Sequence, residues 1–224
     1  MATKSKRSLA KPKRRIFVVE DHPVFREGLV RLINAEKDLT VCGKAGDGEK
    51  AFKDINHLKP DLAVIDLGLP GKSGLDLIKN VRSLKLPVKL LVVSMYDEAI
   101  YAQRVLRAGG DGYIMKEEDP SEIIHAIRDV LNGRIYVSEE LLASGSIKPP
   151  ATKKASSLEK LTDSELQVLE SLGEGKSDEE MAQYFQVTAG EVNAQCAQIQ
   201  QKLGLKSINA LIRYAVCWVE DIAK

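Results

Sequence analysis

Short apolar runs alternate with helical patterns five times between residues 16 and 137, and this alternation limits the possible folds more than any other feature. We predict strands at residues 16–19, 39–42, 61–66, 88–93 and 112–115, each followed by apolar residues at helical spacing. Repeated strand-helix units are typical of a parallel sheet with helices on both faces and right-handed crossovers. The pattern therefore predicts an α/β domain with a five-stranded, doubly wound parallel sheet in the order 2-1-3-4-5.

Polar residues stand where four of these strands end. They are Glu20 and Asp21 after the first strand, Asp66 at the end of the third, Ser94 after the fourth and Lys116 after the fifth. Open α/β sheets bind their ligands at the carboxyl ends of the strands. We therefore expect these five side chains to meet at one edge of the sheet.

This set of residues suits a hard cation and a phosphoryl group. Neighbouring carboxylates raise one another's pKa unless a cation neutralises them. Oxygen ligands without His or Cys favour Mg²⁺, and the turn carbonyl of Gly68 is a further candidate ligand. Lys116 can neutralise phosphoryl oxygens, and Ser94 can donate a hydrogen bond to them. Asp66 is the best candidate for a nucleophile that holds a phosphoryl group, because its strand is central and tight-turn residues follow it.

On these residues, the region 16–137 resembles the receiver domain of two-component response regulators. The matching positions are the acid pair Glu20-Asp21, the phosphoacceptor Asp66, the switch hydroxyl Ser94, the switch aromatic Tyr113 and the lysine Lys116. The resemblance implies Mg²⁺-dependent phosphotransfer from a sensor histidine kinase to Asp66, after which Ser94 and Tyr113 reorient. It also implies that the chain is not an enzyme, beyond slow autodephosphorylation at most. Glu20 stands where many relatives have Asp.

A phosphatase similar to the haloacid dehalogenases is the alternative for this edge of the sheet. That family also uses an aspartate nucleophile and Mg²⁺, but its motif has a second Asp two positions after the first. Gly68 occupies that position here, so the general acid of that mechanism is missing.

Composition divides the chain into four parts. Residues 1–15 carry seven Lys/Arg and no acid, which predicts a disordered basic tail that is either solvated or a nonspecific nucleic-acid arm. Residues 138–157 contain Pro-Pro, Ser and Lys without apolar periodicity, which indicates a flexible linker. This linker separates the receiver-like region 16–137 from a second domain at residues 158–224.

Hydropathy and cysteine content indicate a cytoplasmic protein. No run of about 18 apolar residues is present, so we expect no membrane span, and the basic N-terminus lacks the apolar region of a secretory signal. Three widely spaced cysteines fit neither a disulfide framework nor a zinc site, as is typical of a reducing compartment.

Four short helical patterns fill residues 158–224, and Thr162 with Glu165 predicts a capping box at the start of the first. This all-α region resembles the LuxR-type helix-turn-helix of NarL/FixJ-type response regulators. The matching positions are mainly core and turn residues, including Leu161-Thr162, Glu165, Val168-Leu169, Gly175, Met181-Ala182, Val192, Ile199 and Lys202-Leu203-Gly204. The resemblance implies transcription regulation, with phosphorylation promoting homodimerisation and DNA binding. The expected dimer contacts on the terminal helix are Leu211, Ile212, Ala215 and Trp218.

The predicted recognition helix departs from the family pattern. Relatives usually carry Thr-Val followed by Lys, His and Arg, whereas residues 191–198 read Glu-Val-Asn-Ala-Gln-Cys-Ala-Gln. Residues 158–224 contain six basic and eleven acidic residues, a net charge of −5, although phosphate neutralisation supplies much of the affinity for DNA. The candidate DNA contacts are Asn193, Gln195 and Gln198 on base edges and Lys202 and Lys206 on the backbone.

Two hypotheses for the output therefore stand. In the first, the helix-turn-helix binds DNA when the receiver is phosphorylated. In the second, the domain keeps the fold without binding DNA and acts through protein–protein interaction or dimerisation. The family resemblance favours the first hypothesis, and the acidic charge of the domain favours the second.

Overall fold

The computed structural model describes residues 12–71, 73–138, 141, 158 and 160–222. Five parallel strands form one sheet in the order β2-β1-β3-β4-β5, which confirms the predicted topology. The strands are β1 (Arg14–Val19), β2 (Leu39–Ala45), β3 (Leu62–Ile65), β4 (Lys89–Ser94) and β5 (Gly112–Met115). The helices that follow them are α1 (Pro23–Ala35), α2 (Gly48–Leu58), α3 (Gly74–Ser83), α4 (Glu98–Ala108) and α5 (Pro120–Leu131).

Side chains of the central strands alternate between two cores, one on each face of the sheet. From β1, Phe17 and Val19 pack with buried residues of α2, α3 and α4. Ile16 and Val18 pack instead with buried residues of α1 and α5. This is the period-two alternation of a strand that is buried on both faces. Because helices cover both faces, the loops at the carboxyl ends of the strands form the edge that a ligand can reach.

The first strand begins at Arg14, inside the predicted tail. Arg14 pairs with Leu39 in the sheet, and its guanidinium lies 3.0 Å from Asp61. The guanidinium of Arg15 donates to the Leu58 carbonyl at 2.7 Å. The prediction of disorder through residue 15 is therefore wrong for these two arginines, because partners in the sheet and on α2 hold them. Residues 1–11 and most of the predicted linker lie outside the described residues.

The C-terminal domain is all-α, as predicted, with α6 (Asp163–Gly173), α7 (Asp178–Phe185), α8 (Ala189–Leu203) and α9 (Ile208–Ile222). Three of these helices begin with a capping box, in which a hydroxyl and a glutamate satisfy main-chain N–H groups. The pairs are Thr162–Glu165, Ser177–Glu180 and Thr188–Glu191. Within the described residues, no helix has the length and apolar content that crossing a membrane would need.

The last helix turns a different face outward than the sequence pattern suggested. Leu211 and Ala215 are fully buried, and Trp218 is only 7% exposed. Their spacing of four and three residues puts them on one stripe of α9, which packs on α6 in the core of the domain. The prediction that these three residues form dimer contacts is therefore wrong. Among the residues of this helix whose burial is described, the exposed large apolar side chains are Ile208 and Ile212, at 43% and 39%.

Candidate functional site

Polar residues from three strand ends meet at one edge of the sheet. Glu20 and Asp66 are almost completely buried, with exposed fractions of 1% and 5%. The ammonium group of Lys116 lies 2.8 Å from a carboxylate oxygen of Glu20 and 2.9 Å from one of Asp66. One half-buried lysine therefore pairs with two buried carboxylates.

Asp21 completes a cluster of three acids, which we call the carboxylate cluster. Glu20, Asp21 and Asp66 each offer one oxygen, and these three oxygens lie within 4.8 Å of one another. Opposite ligands of a Mg²⁺ ion with bonds of about 2.1 Å would be about 4.2 Å apart, so the donor set fits such an ion after small side-chain movements. The donors are all oxygens, which is the ligand chemistry of a hard cation.

Burial and mutual repulsion change the proton affinity of these groups. Burial, and after it the charge of Asp66, raises the pKa of Glu20 to about 7. The same two causes raise the pKa of Asp21. Burial alone would lower the pKa of Lys116, but the carboxylates of Asp66 and Glu20 outweigh it and raise the pKa. The lysine is therefore a fixed cation, and the excess negative charge of the cluster calls for a further one.

Two neighbouring residues hold the acids in place. The guanidinium of Arg26 on α1 donates to the main-chain carbonyls of Glu20 and Asp21 at 2.6 and 3.1 Å. At the start of α3, a Cβ on Gly74 would lie 2.1 Å from the Asp66 carbonyl oxygen, so only glycine permits this close approach. Arg26 was not among the predicted site residues, although a cation one turn into the helix after an acid pair is a sequence signal for such a role.

Ser94 and Tyr113 lie behind the cluster and share a partner. Their exposed fractions are 1% and 0%. The Ser94 hydroxyl accepts from the Tyr96 N–H at 3.3 Å, and the Tyr113 hydroxyl donates to the Tyr96 carbonyl. The ring of Tyr96 stacks on that of Tyr101 in α4, with centres 4.9 Å apart. Tyr96 therefore connects both predicted switch residues to α4.

The C-terminal domain contacts the loop that follows β3. The hydroxyl of Tyr184, near the end of α7, donates to the Gly68 carbonyl at 2.7 Å. The Tyr184 carbonyl accepts from the Gly71 N–H at 3.3 Å. The buried amide of Gln167 on α6 donates to the Leu67 carbonyl at 3.1 Å. Tyr184 and Gln167 were not among the predicted site residues, because no local sequence pattern shows which helix face docks on another domain.

Further contacts join α3 and α4 to α6. Arg104 lies 2.9 Å from Asp163 and also donates to two main-chain carbonyls that precede α6, at 2.8 and 3.1 Å. Lys79 lies 2.8 Å from the same carboxylate. The Tyr101 hydroxyl donates to Glu170 at 3.2 Å, and burial raises the pKa of Glu170 to about 8. The docked face of the C-terminal domain thus belongs to α6 and α7.

The predicted DNA contacts lie on other parts of the domain. Asn193 and Gln198 are exposed, and Gln195 is half-buried. Lys206 is exposed and forms no ion pair with any described residue. Lys202 instead lies 2.6 Å from Glu165. Lys176, another cation of this domain, lies 2.7 Å from Glu174. Acids of the domain therefore neutralise two of the cations that could have faced DNA.

Comparison with known proteins identifies both domains. Residues 16–128 match the family model described as the response regulator receiver domain. Residues 159–215 match the model described as bacterial regulatory proteins of the luxR family. The chain belongs to the LuxR family of two-component response regulators. As a member, this response regulator combines a receiver with a LuxR-type helix-turn-helix, the architecture of a transcription regulator.

Similar proteins align over most of the response regulator. NreC of Staphylococcus aureus, strain bovine RF122 / ET3-1, described as an oxygen regulatory protein, is 31% identical over 90% of this chain and 96% of NreC. A LuxR-family response regulator from Aurantimonas sp. SI85-9A1 is 32% identical, covers 61% of this chain and 99% of its own, and superposes with a TM-score of 0.57. RcsB from Salmonella enterica serovar Typhimurium, solved bound to promoter rprA, is 21% identical over 91% of this chain and 98% of its own, with a TM-score of 0.63. At that identity, RcsB supports the fold alone.

Proposed function

We propose that this response regulator accepts a phosphoryl group on Asp66 from a sensor histidine kinase, with Mg²⁺ bound beside it. One observation carries the proposal: Asp66 shares a buried edge with two further carboxylates and lies 2.9 Å from the Lys116 ammonium. The ion would be held by Glu20, Asp21, Asp66 and the Gly68 carbonyl. When bound, it would supply positive charge that offsets the phosphoryl oxygens.

The side chains around Asp66 have distinct tasks in the transfer. A carboxylate oxygen of Asp66 forms a bond to phosphorus while the bond between phosphorus and the kinase imidazole breaks. The imidazole leaves with the electron pair of that bond and takes up a proton. Lys116 offsets the negative charge of the acyl phosphate, and the Ser94 hydroxyl donates to it after reorienting. In this proposal the protein is a phosphoacceptor rather than an enzyme, with slow autodephosphorylation at most.

Incubation with acetyl phosphate and Mg²⁺ tests the assignment of Asp66. We expect the intact mass of the wild-type chain to rise by one phosphoryl group and that of Asp66→Asn to stay unchanged. Asp54→Asn, which alters an aspartate on α2 that pairs with Lys50 and is not part of the cluster, is the matched control and should be labelled like the wild type. Equal labelling of Asp66→Asn and the wild type would refute the proposal.

For the output, we propose that phosphorylation promotes homodimerisation and DNA binding. Base contacts would come from Asn193, Gln195 and Gln198, and backbone contacts from Lys202 and Lys206. A specific observation favours a second candidate, in which the domain acts through protein contacts without binding DNA. The domain has a net charge of −5, and two of its six basic residues pair with acids of the domain, Lys202 with Glu165 and Lys176 with Glu174.

A mobility-shift series with the phosphorylated full-length chain separates the two candidates. Phosphate contacts are strongly favoured at a salt concentration of about 50 mM. Binding that weakens steeply as salt rises supports DNA binding, and no binding at about 50 mM salt supports the second candidate. Asp66→Asn, treated in the same way, shows whether any binding depends on phosphorylation.

A further inference from the structure

The hydroxyl of Tyr184 engages the one main-chain oxygen that the proposed cation site uses. It donates to the Gly68 carbonyl at 2.7 Å, although the two residues are 116 positions apart. In the proposed site, this carbonyl is the single ligand that comes from the backbone rather than from a carboxylate. Tyr184, a residue of the helix-turn-helix domain, therefore contacts an oxygen of the receiver that is a proposed ligand of the cation.

A second hydrogen bond joins Tyr184 to the loop, and two neighbours in its own domain contact its ring. Its main-chain carbonyl accepts from the Gly71 N–H at 3.3 Å. Its ring lies against Phe185, with centres 5.1 Å apart, and the Lys176 ammonium lies 5.2 Å from its centre. The hydroxyl lies 3.2 Å from where a side chain at Gly68 would begin, so little free space separates the tyrosine from the loop.

The charge of the carboxylate cluster reaches the same hydroxyl. Burial, and after it the charges of Asp21 and Asp66, raises the pKa of Tyr184. Without a cation, the partial positive charge of the hydroxyl hydrogen is favourable next to these acids. A divalent cation on the Gly68 carbonyl would repel that hydrogen and would bring its own ligands into the space beside the loop.

We infer that Tyr184 and a divalent cation compete for the Gly68 carbonyl, so that the docked helix-turn-helix domain lowers the affinity of the receiver for Mg²⁺. This inference rests on the proposed cation site. The coupling is reciprocal, so cation binding weakens docking by the same factor. Tyr184 makes the position of the output domain sensitive to the ion before any phosphoryl group arrives. A hydrogen bond of this kind corresponds to about a 2- to 12-fold change in an equilibrium constant.

Calorimetric titration of the full-length chain with MgCl₂ tests this competition. Tyr184→Phe keeps the ring and removes only the donor, so we expect it to bind Mg²⁺ about 2- to 12-fold more tightly than the wild type. Tyr214→Phe makes the same change on a half-buried tyrosine of α9 and should match the wild type. Hydrogen exchange at residues 67–71 supplies a second readout, because the Gly71 N–H loses its partner when the domain leaves. Mg²⁺ should speed this exchange in the wild type, and Tyr184→Phe should exchange faster than the wild type without Mg²⁺.

The possible results separate the inference from the proposed function. Equal, measurable Mg²⁺ affinity of the wild type and Tyr184→Phe overturns the competition and leaves the cation site intact. Absence of Mg²⁺ binding in both proteins overturns the cation site, and the inference with it. Exchange at residues 67–71 that does not respond to Mg²⁺ in the wild type contradicts the reciprocal effect on docking.

Discussion

The carboxylate cluster and the surroundings of α8 use charged residues in opposite ways. In the cluster, three acids converge and, among the described residues, Lys116 is the lysine that pairs with two of them, so negative charge is left over in a buried place. Near α8, Lys202 has its own acid in Glu165, and the exposed face carries uncharged residues such as Asn193 and Gln198. Excess negative charge in a buried site favours binding of a cation. Charges that are paired within a domain attract a charged partner only weakly.

The two halves of this response regulator therefore depend on different kinds of feature. A receiver site depends on a few groups whose identities and positions are visible in the fold. DNA binding depends on a sum of surface charges, and here that sum is negative. Family membership and fold transfer to the C-terminal domain through its core residues, while its affinity for DNA depends on surface residues that differ.

Of the substitutions considered, loss of Lys116 should have the largest effect, which is on phosphorylation of the receiver. Lys116→Ala removes the cation that offsets charge on the phosphoryl group in the proposed mechanism, so the initial rate of labelling by acetyl phosphate should fall by about 100-fold or more. Intact mass spectrometry over time measures this rate. Lys202→Ala is the matched control, because it removes a lysine that pairs with a single acid in the other domain, and it should be labelled at the wild-type rate. A Lys116→Ala rate near that of the wild type would remove the lysine from the proposed mechanism.

Added positive charge on α8 should increase the affinity of the helix-turn-helix domain for DNA. Ala194 and Ala197 are exposed, so Ala194→Lys combined with Ala197→Arg leaves the core unchanged. If each new cation meets one phosphate, the slope of log affinity against log salt should steepen by about 1.8 on a nonspecific duplex. Fluorescence anisotropy at several salt concentrations measures the slope. A double glutamine variant at the same positions controls for side-chain size, and equal slopes in the two variants would show that missing charge does not limit binding.

Glu170 offers a subtler comparison with Glu20, because both are carboxyls with raised pKa values. Glu20 forms an ion pair with Lys116, whereas the lysine near Glu170, Lys176, pairs with Glu174. The docked Glu170 has a pKa of about 8 against its usual 4.5, so docking retains a proton that the exposed group would lose. Docking is therefore most favourable below about pH 4.5 and weakens as pH rises toward about 8. We expect the radius of gyration from small-angle scattering to increase over this range.

Glu170→Gln should abolish most of this pH response, because the amide stays neutral and keeps an acceptor for Tyr101. The groups that face Glu170 are Tyr101 and Asp97 from the receiver and Glu174 and Lys176 from its own domain. The remaining response of Glu170→Gln reports their contribution. A wild-type radius that is constant between about pH 5 and pH 8 would show that Glu170 does not couple docking to pH.

Local patterns carried most of the predicted fold. Apolar runs predicted the five strands. The pair Thr162 and Glu165 predicted the start of α6, because a capping box needs only neighbouring residues. The pattern failed at Arg14, where basic residues at the beginning of a strand look like a solvated tail until partners such as Asp61 are known. It also failed for Trp218, because a helix with apolar residues on more than one face does not reveal which face is buried.

The sequence by itself determined the five strands and the acids that stand at the strand ends. Hydrophobic period decides which side chains are buried, and parallel strands must bring their carboxyl ends to one edge. Only the tertiary structure decided that Glu165 binds Lys202 and that Tyr184 reaches Gly68, pairs that are 37 and 116 positions apart. Such contacts depend on how completed helices and domains pack against one another, and no local periodicity records that packing.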